Sequence, residues 1–328
     1  MKLLVVQTAF LGDTVFTSAL AGSLRARFPQ AELALCVAPR GRDVALAIPG
    51  VSQVHVFDKR GADRGARGLL RVARTLRAER FDLAVVPHRS PRSALLAWLA
   101  AIPERVGFGS LLFTRRVQRP RGAGFLAQEA ALAVALGGQP APMRLSAQPA
   151  SVAAARALLG EARVAALCVG SEWATKIWPA ARFAALADQL AARGFLPVLL
   201  GGPRERDLAR AVSSAMRSRA IDTAGNTVAE ALGILSIASV CVGGDTGLVH
   251  AARALGTPAV ALFGPTPAGV HAFGPRDRLL TLGLDCSPCS AHGSRDCPLG
   301  HHRCLRDLDE AQVLRACEAA LGLGEAAR

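Results

Sequence analysis

Residues 240–263 read VCVGGDTGLVHAARALGTPAVALF, and this stretch decides the architecture. Val240–Val242 is a short apolar, strand-like run. Gly243-Gly244-Asp245-Thr246-Gly247 forms a turn that joins it to a helical pattern over Thr246–Leu255, and Pro258–Phe263 is apolar again. A strand, a glycine turn, a helix and a second strand in that order make a parallel βαβ unit. The alternation extends outward in both directions. Upstream, strands are predicted at Val164–Val169 and Leu196–Leu200, with helices over Ala180–Arg193 and Arg204–Met216 and a closing helix over Asp309–Leu321. The N-terminal half repeats the scheme. Its strands are Lys2–Gln7, Glu32–Val37, Gln53–Phe57, Leu83–Pro87 and Arg105–Phe108; its helices are Thr14–Phe28, Arg40–Ile48, Arg64–Arg80 and Arg92–Ala101.

Between the halves, residues 137–150 carry three prolines and two glycines and read as a linker. The expectation is two doubly wound, Rossmann-like α/β domains, 1–145 and 146–328, facing across a cleft, with helix 309–321 packing back on the first. Ligands bind at the carboxyl ends of such strands.

Composition narrows the function. The 328 residues are 51% hydrophobic and 20% charged, enough apolar material for large cores and incompatible with disorder. No apolar run approaches the length of about 18 residues that a membrane span needs. Asp13 interrupts the apolar start, which therefore reads as a strand and not a signal peptide, and the expected compartment is the cytoplasm. Net charge is +14, and it is uneven. Residues 1–150 hold 21 Lys+Arg against 9 Asp+Glu, whereas residues 151–328 hold 18 against 16. A basic half suits an anionic partner. No zinc-finger or RNA-recognition motif accompanies it, and with 5% aromatics and no Tyr a nucleic-acid module is disfavoured. The other reading is a solvated surface in an Arg-rich chain.

Four strand-to-helix turns carry the candidate chemistry. Gly12-Asp13-Thr14 follows the first strand; Asp13 is either a general base or a helix cap. It is not a G-x-G-x-x-G fingerprint, which disfavours a nicotinamide dehydrogenase. Gly170-Ser171-Glu172-Trp173-Ala174-Thr175-Lys176 offers hydroxyls and a lysine to an anion. Lys176 is one of only three lysines among 39 basic residues, and a retained ammonium suits a phosphate met as a point charge. Gly201-Gly202-Pro203-Arg204-Glu205 places an acid where it either accepts ribose hydroxyls or complements the helix dipole. Gly243–Gly247 forms a diphosphate cradle, with His250 one turn into its helix. In the basic half, Arg60, Arg89 and Arg92 are candidates to grip an acidic acceptor. Arg64, Arg67, Arg71 and Arg74 fall on one helix face, either toward anionic lipid or simply solvated.

Taken in order, these segments resemble glycosyltransferase family 9, the ADP-heptose:lipopolysaccharide heptosyltransferases. The resemblance rests on Gly12-Asp13, Thr175-Lys176-Ile177-Trp178-Pro179, Asp245-Thr246-Gly247 with His250, and Phe263-Gly264-Pro265-Thr266. Residues 93–107 and the cysteine-bearing tail look like the second-heptose enzymes in particular. The resemblance implies a GT-B fold and inverting transfer of heptose from ADP-L-glycero-D-manno-heptose to the inner core of lipopolysaccharide. It implies Asp13 as base, Ser171, Thr175, Lys176, Glu205, Asp245, Thr246, Gly247 and His250 as donor contacts, and no cofactor or catalytic metal. A cytoplasmic monomer with peripheral contact at the inner membrane face is expected. Gln7-Thr8-Ala9 departs from the Arg and Ser of many relatives. A transferase with another donor or acceptor, or a GT-B-like epimerase, is the alternative. Cys286, Cys289, Cys297 and Cys304, spaced C-x2-C-x7-C-x6-C, either hold a structural zinc or pack as reduced thiols.

Overall fold

The computed structural model describes residues 1–271 and 273–323, which form two compact units, Met1–Ser146 and Ala147 onward. The first unit runs β1 (Lys2–Gln7), α1 (Leu11–Arg27), β2 (Glu32–Val37), α2 (Arg42–Leu46), β3 (Val51–Val56), α3 (Gly65–Ala78) and β4 (Leu83–Val86). It continues with α4 (Pro91–Leu99), β5 (Glu104–Phe108), β6 (Arg115–Val117) and α5 (Phe125–Ala135). The second runs α6 (Pro149–Leu159), β7 (Arg163–Cys168), α7 (Ala180–Ala191), β8 (Phe195–Leu200), α8 (Arg206–Ala215), β9 (Ile221–Asp222), α9 (Val228–Ile237) and β10 (Val240–Gly244). It ends with α10 (Gly247–Leu255), β11 (Ala259–Leu262), β12 (Arg278–Leu280), α11 (Arg303–Arg306) and α12 (Glu310–Ala320).

Each unit holds a six-stranded sheet, ordered β3-β2-β1-β4-β5-β6 and β12-β11-β10-β7-β8-β9, and the paired strands run parallel. Helices cover both faces, so the central strands are continuous apolar runs: Leu3–Val6 and Val164–Val169 are almost fully buried. In each sheet the order reverses beside the first strand of its unit, between β1 and β4 and between β7 and β10. These two switch points are where a doubly wound sheet leaves a crevice at its carboxyl edge.

Three features differ from the sequence expectation. First, α12 packs on α7 and beneath β11 and β12, and its Val313, Leu314 and Cys317 belong to the second core. That apolar face closes the near side of the second sheet, within its own unit. Second, α1 begins at Leu11, so Asp13 lies inside its first turn. Third, helices α5, α6 and α9 were not anticipated. Helix α9 had a legible start: Thr227 and Glu230 form a capping box. Its interior is apolar all round and hides the helical period. Among the described residues no helix is long and apolar enough to cross a membrane.

Candidate active site

The second unit's switch point brings together the turns after β7 and β10. Lys176 donates from Nζ to Asp245 Oδ2 at 2.6 Å and to the Asp245 carbonyl at 3.0 Å. Two further groups bond the same carboxylate: Thr266 Oγ1 reaches Oδ2 at 2.9 Å and His250 Nε2 reaches Oδ1 at 2.9 Å. The Arg253 guanidinium donates to His250 Nδ1 at 3.1 Å and is anchored on Asp277. His250 Nδ1 must therefore accept, which makes Nε2 the protonated nitrogen that donates to Asp245. Burial lowers the His250 pKa despite the carboxylate and keeps the ring neutral. Burial also opposes the charge on Asp245, but the His250 hydrogen bond and the Lys176 ammonium outweigh it and hold its pKa far below the ordinary carboxylate range. His271 stacks on His250 with ring centroids 4.8 Å apart. Asp245, His250 and His271 could ligate a metal by spacing alone. The Lys176 ammonium on the same carboxylate already supplies the cation that such a site would want.

The other expected donor contacts divide. Thr246 caps α10 without a side-chain cap bond, and its buried Oγ1 has no partner among the described residues. The first N–H groups of this nine-residue helix and the nearby Lys176 ammonium on Asp245 could hold an anion beside it. Gly247 contributes its backbone there. Glu205 folds over the end of β7: a Cβ at Gly170 would stand 2.0 Å from its Cγ, so only glycine admits it. Ser171 accepts from the Trp173 amide at 3.3 Å and shapes its own turn. Thr175 differs from expectation. Its hydroxyl donates to the Ser294 carbonyl at 2.9 Å and accepts from the Ser294 amide at 2.9 Å, so it staples two loops instead of facing a phosphate.

In the first unit, one pocket at the β1/β4 switch point is lined by Gln7, Asp13, His88, Arg89, Arg119 and Glu129, among others. Asp13 is half-buried and accepts from the Phe10 amide at 2.9 Å, so it caps α1 while facing this pocket. Arg89 lines the pocket and Arg60 is exposed outside it. Arg92 is engaged elsewhere. Its guanidinium binds the carbonyls of Lys59, Asp63 and Gly65 at 3.0–3.2 Å and lies over the Phe57 ring, so it pins the 59–65 loop. Sequence reasoning missed Lys59, which donates to Thr8 Oγ1 at 3.2 Å. The rarity of lysine that marked Lys176 applies equally to it. His88 sits against Thr8 and Ser93, and burial, helped by the Lys59 charge, lowers its pKa to about 4.

Glu129, on α5, was also missed. Burial raises its pKa to about 8, with a further push from the Asp13 charge against the Thr17 hydrogen bond. Its Oε1 lies 3.0 Å from Thr17 Oγ1, which also donates to the Asp13 carbonyl at 3.0 Å, and Oε2 has no partner. A protonated Glu129 donating to the Thr17 hydroxyl resolves that count. An acid whose folded pKa is raised favours the folded state below its unfolded pKa, near 4.5, and that advantage declines as pH rises through about 8. The Glu129→Gln variant is therefore expected to melt near wild type at pH 5 and above it at pH 8.5, by roughly 5 °C or more. Parallel calorimetric scans at the two pH values check this; a pH-independent difference would place the proton elsewhere.

Two Rossmann-type units, one with a carboxylate in its switch-point pocket and one with an anion-ready helix start, define a GT-B glycosyltransferase. The chain belongs to glycosyltransferase family 9 (heptosyltransferase), whose sequence profile matches residues 69–299. It is 27% identical to lipopolysaccharide heptosyltransferase 2 of Salmonella typhimurium, over 98% of this chain and 99% of that enzyme. A family 9 glycosyltransferase from Veillonella parvula superposes with a TM-score of 0.86 at 22% identity, covering 98% of this chain and 97% of that one. ADP-heptose LPS heptosyltransferase II of E. coli gives 0.81 at 24% identity, covering 99% and 100%.

Proposed function

We propose that the chain transfers heptose from ADP-activated L-glycero-D-manno-heptose to the inner core of lipopolysaccharide, at the second-heptose step. The observation that carries this reading is the start of α10, where Lys176 is held on Asp245 next to a helix N-terminus whose Thr246 hydroxyl is buried without a partner among the described residues. A diphosphate leaving group gathers charge as the glycosidic bond breaks. Fixed donors and an ammonium in a half-buried site stabilise that charge. Asp13 takes the proton of the acceptor hydroxyl, which attacks the anomeric carbon with inversion, and ADP departs. Glu205 is assigned to the ribose and Arg89 to acidic groups of the acceptor. The near full-length similarity to enzymes named heptosyltransferase 2 supports the second-heptose assignment.

The test is incubation with ADP-heptose and defined acceptors bearing zero, one or two heptoses, read by mass spectrometry. Addition of one heptose to the one-heptose acceptor is expected. Transfer only to the heptose-free acceptor would move the assignment to the first step, and free heptose from donor alone would point to epimerase-like chemistry.

The acceptor is a lipid, so the enzyme is placed at the cytoplasmic membrane face. Arg64, Arg67 and Arg74 are exposed on or beside α3, whereas Arg71 is tied to the buried carboxylate of Asp63. Each free arginine is worth about 1 kcal/mol near an anionic surface. Changing Arg64, Arg67 and Arg74 to Gln should reduce co-sedimentation with anionic vesicles and spare activity on detergent-solubilised acceptor. Undiminished sedimentation would leave the stripe as a solvated face.

A further inference from the structure

The eight cysteines are all free thiols, and they divide sharply. Cys36, Cys168, Cys241 and Cys317 are buried within strands or α12 and belong to the apolar cores, with the Cys168 and Cys241 sulfurs 3.6 Å apart on neighbouring strands. Cys286, Cys289 and Cys297 lie between β12 and α11, in a stretch with little regular structure, and Cys304 lies in α11 itself. The fold brings these four onto one small pocket, together with Ser287, Pro298, Leu299 and His301. The wall they share is otherwise apolar, apart from the Ser287 hydroxyl and the His301 ring.

The chain turns back directly after Cys297, where the Gly300 amide donates to the Cys297 carbonyl at 2.9 Å, and this turn brings Leu299 and His301 to the same pocket. Cys304, at the start of α11, is buried and lines the same pocket. Four thiolates in one apolar pocket repel one another unless a cation sits among them. The chemistry that matches four sulfurs at C-x2-C-x7-C-x6-C is a tetrahedral, thiolate-loving divalent ion, with zinc the first choice and iron the second. Arg295, His301, His302, Arg303 and Arg306 flank the pocket in sequence and offset the net negative charge of such a centre.

We infer that Cys286, Cys289, Cys297 and Cys304 form a structural metal site that fastens the loop carrying Lys176. Binding displaces four thiol protons to solvent and forms four metal–sulfur bonds, with no change of oxidation state. Among the described residues only Asp245, His250 and His271 stand at mutual ligand spacing, so binding turns the four cysteine side chains inward. The coupling to Lys176 is direct. Ser294, between Cys289 and Cys297, makes three hydrogen bonds with Thr175: its carbonyl accepts from the Thr175 amide and hydroxyl, and its amide donates to the Thr175 hydroxyl. His302 Nε2 donates to the Thr175 carbonyl at 2.7 Å. Gly293 lies so close to the lysine loop that a Cβ there would stand 2.8 Å from Trp173 Cβ and 3.1 Å from Lys176 Cε. On the other side, the amides of Cys289 and Ser290 hold the Pro265 carbonyl, beside Thr266. The metal thus sets the shape of the anion site without touching it. Only this coupling rests on the proposed function; the metal site does not.

The experiment is elemental analysis of the full chain purified without chelator. Roughly one zinc or iron per chain is expected, as for a single closed tetrathiolate site. Cys289→Ser and Cys297→Ser should each lose it, while Cys241→Ser and His271→Asn keep it. In case the serine variants fold poorly, the wild-type chain is stripped with a chelator and titrated with Co²⁺. Intense visible bands of tetrahedral cobalt–thiolate are expected, together with four newly reactive thiols in the stripped state. Stripping should also weaken ADP binding about tenfold or more, as loss of an orienting shell around a site does. Metal-free protein that gives no cobalt–thiolate bands would overturn the site, as would an ion lost with His271→Asn but kept in Cys289→Ser. A metal present with ADP affinity unmoved by stripping would overturn the coupling. A chain that holds the metal but binds no ADP at all would count against the proposed function instead.

Discussion

The Asp13→Asn enzyme is expected to turn over 10²–10⁴-fold more slowly than wild type, about the contribution of a positioned general base. The structure makes asparagine the informative replacement. Asp13 accepts the Phe10 amide and closes the first turn of α1, and it also faces the pocket that holds Arg89 and Glu129. Asparagine keeps an oxygen acceptor for the Phe10 amide but cannot take a proton, so helix capping survives while base function is lost. Asp13→Ala removes both and should cost about 1 kcal/mol of stability in addition. Single-turnover rates at saturating donor, read beside ADP affinity and thermal midpoint, separate the two roles. If Asp13→Asn turns over at a near-normal rate, the carboxylate is only a cap.

For Lys176→Ala, ADP affinity is expected to fall by about 1.5–3 kcal/mol, the range of a charge-assisted hydrogen bond, which is roughly 10- to 150-fold. The ion pair with Asp245 adds a second expectation. Its two side chains are only 12% and 10% exposed, so removing the ammonium leaves a nearly buried carboxylate with two neutral donors, Thr266 and His250. Breaking a buried pair from one side is strongly destabilising. The melting temperature should therefore drop along with affinity. Lys176→Arg should rescue neither, because a planar guanidinium does not fit the place of a compact ammonium bonded to both the carbonyl and the carboxylate of one residue. Calorimetric titration with ADP, with unfolding followed in the same buffer, measures both. Unchanged affinity with a lowered melting point would make Lys176 a support for Asp245 and remove it from the phosphate site.

The local chemistry of each turn was legible in the sequence because it is encoded within about ten residues. An apolar run, a glycine turn with an acid, and a helical period specify a βα unit wherever they occur, and their repetition specified two doubly wound sheets. The scarcity of lysine marked Lys176, and the same logic extends to Lys59. What the sequence could not determine is which turns meet. That depends on strand order, which reverses between β1 and β4 and between β7 and β10 and so brings to one edge segments far apart in the chain. Thr266 and His271 reach Asp245 from the loop after β11, Ser294 reaches Thr175 across 119 residues, and Glu129 reaches Thr17 across 112. Arg92 shows the converse. Its position near a strand end suggested a ligand contact, but three of its five N–H donors are taken by carbonyls of a neighbouring loop. A side chain's type and local turn are properties of sequence. Its partners, and therefore its protonation and its role, are set by the parallel sheet that aligns every strand's carboxyl end on one rim, and only the tertiary structure decides them.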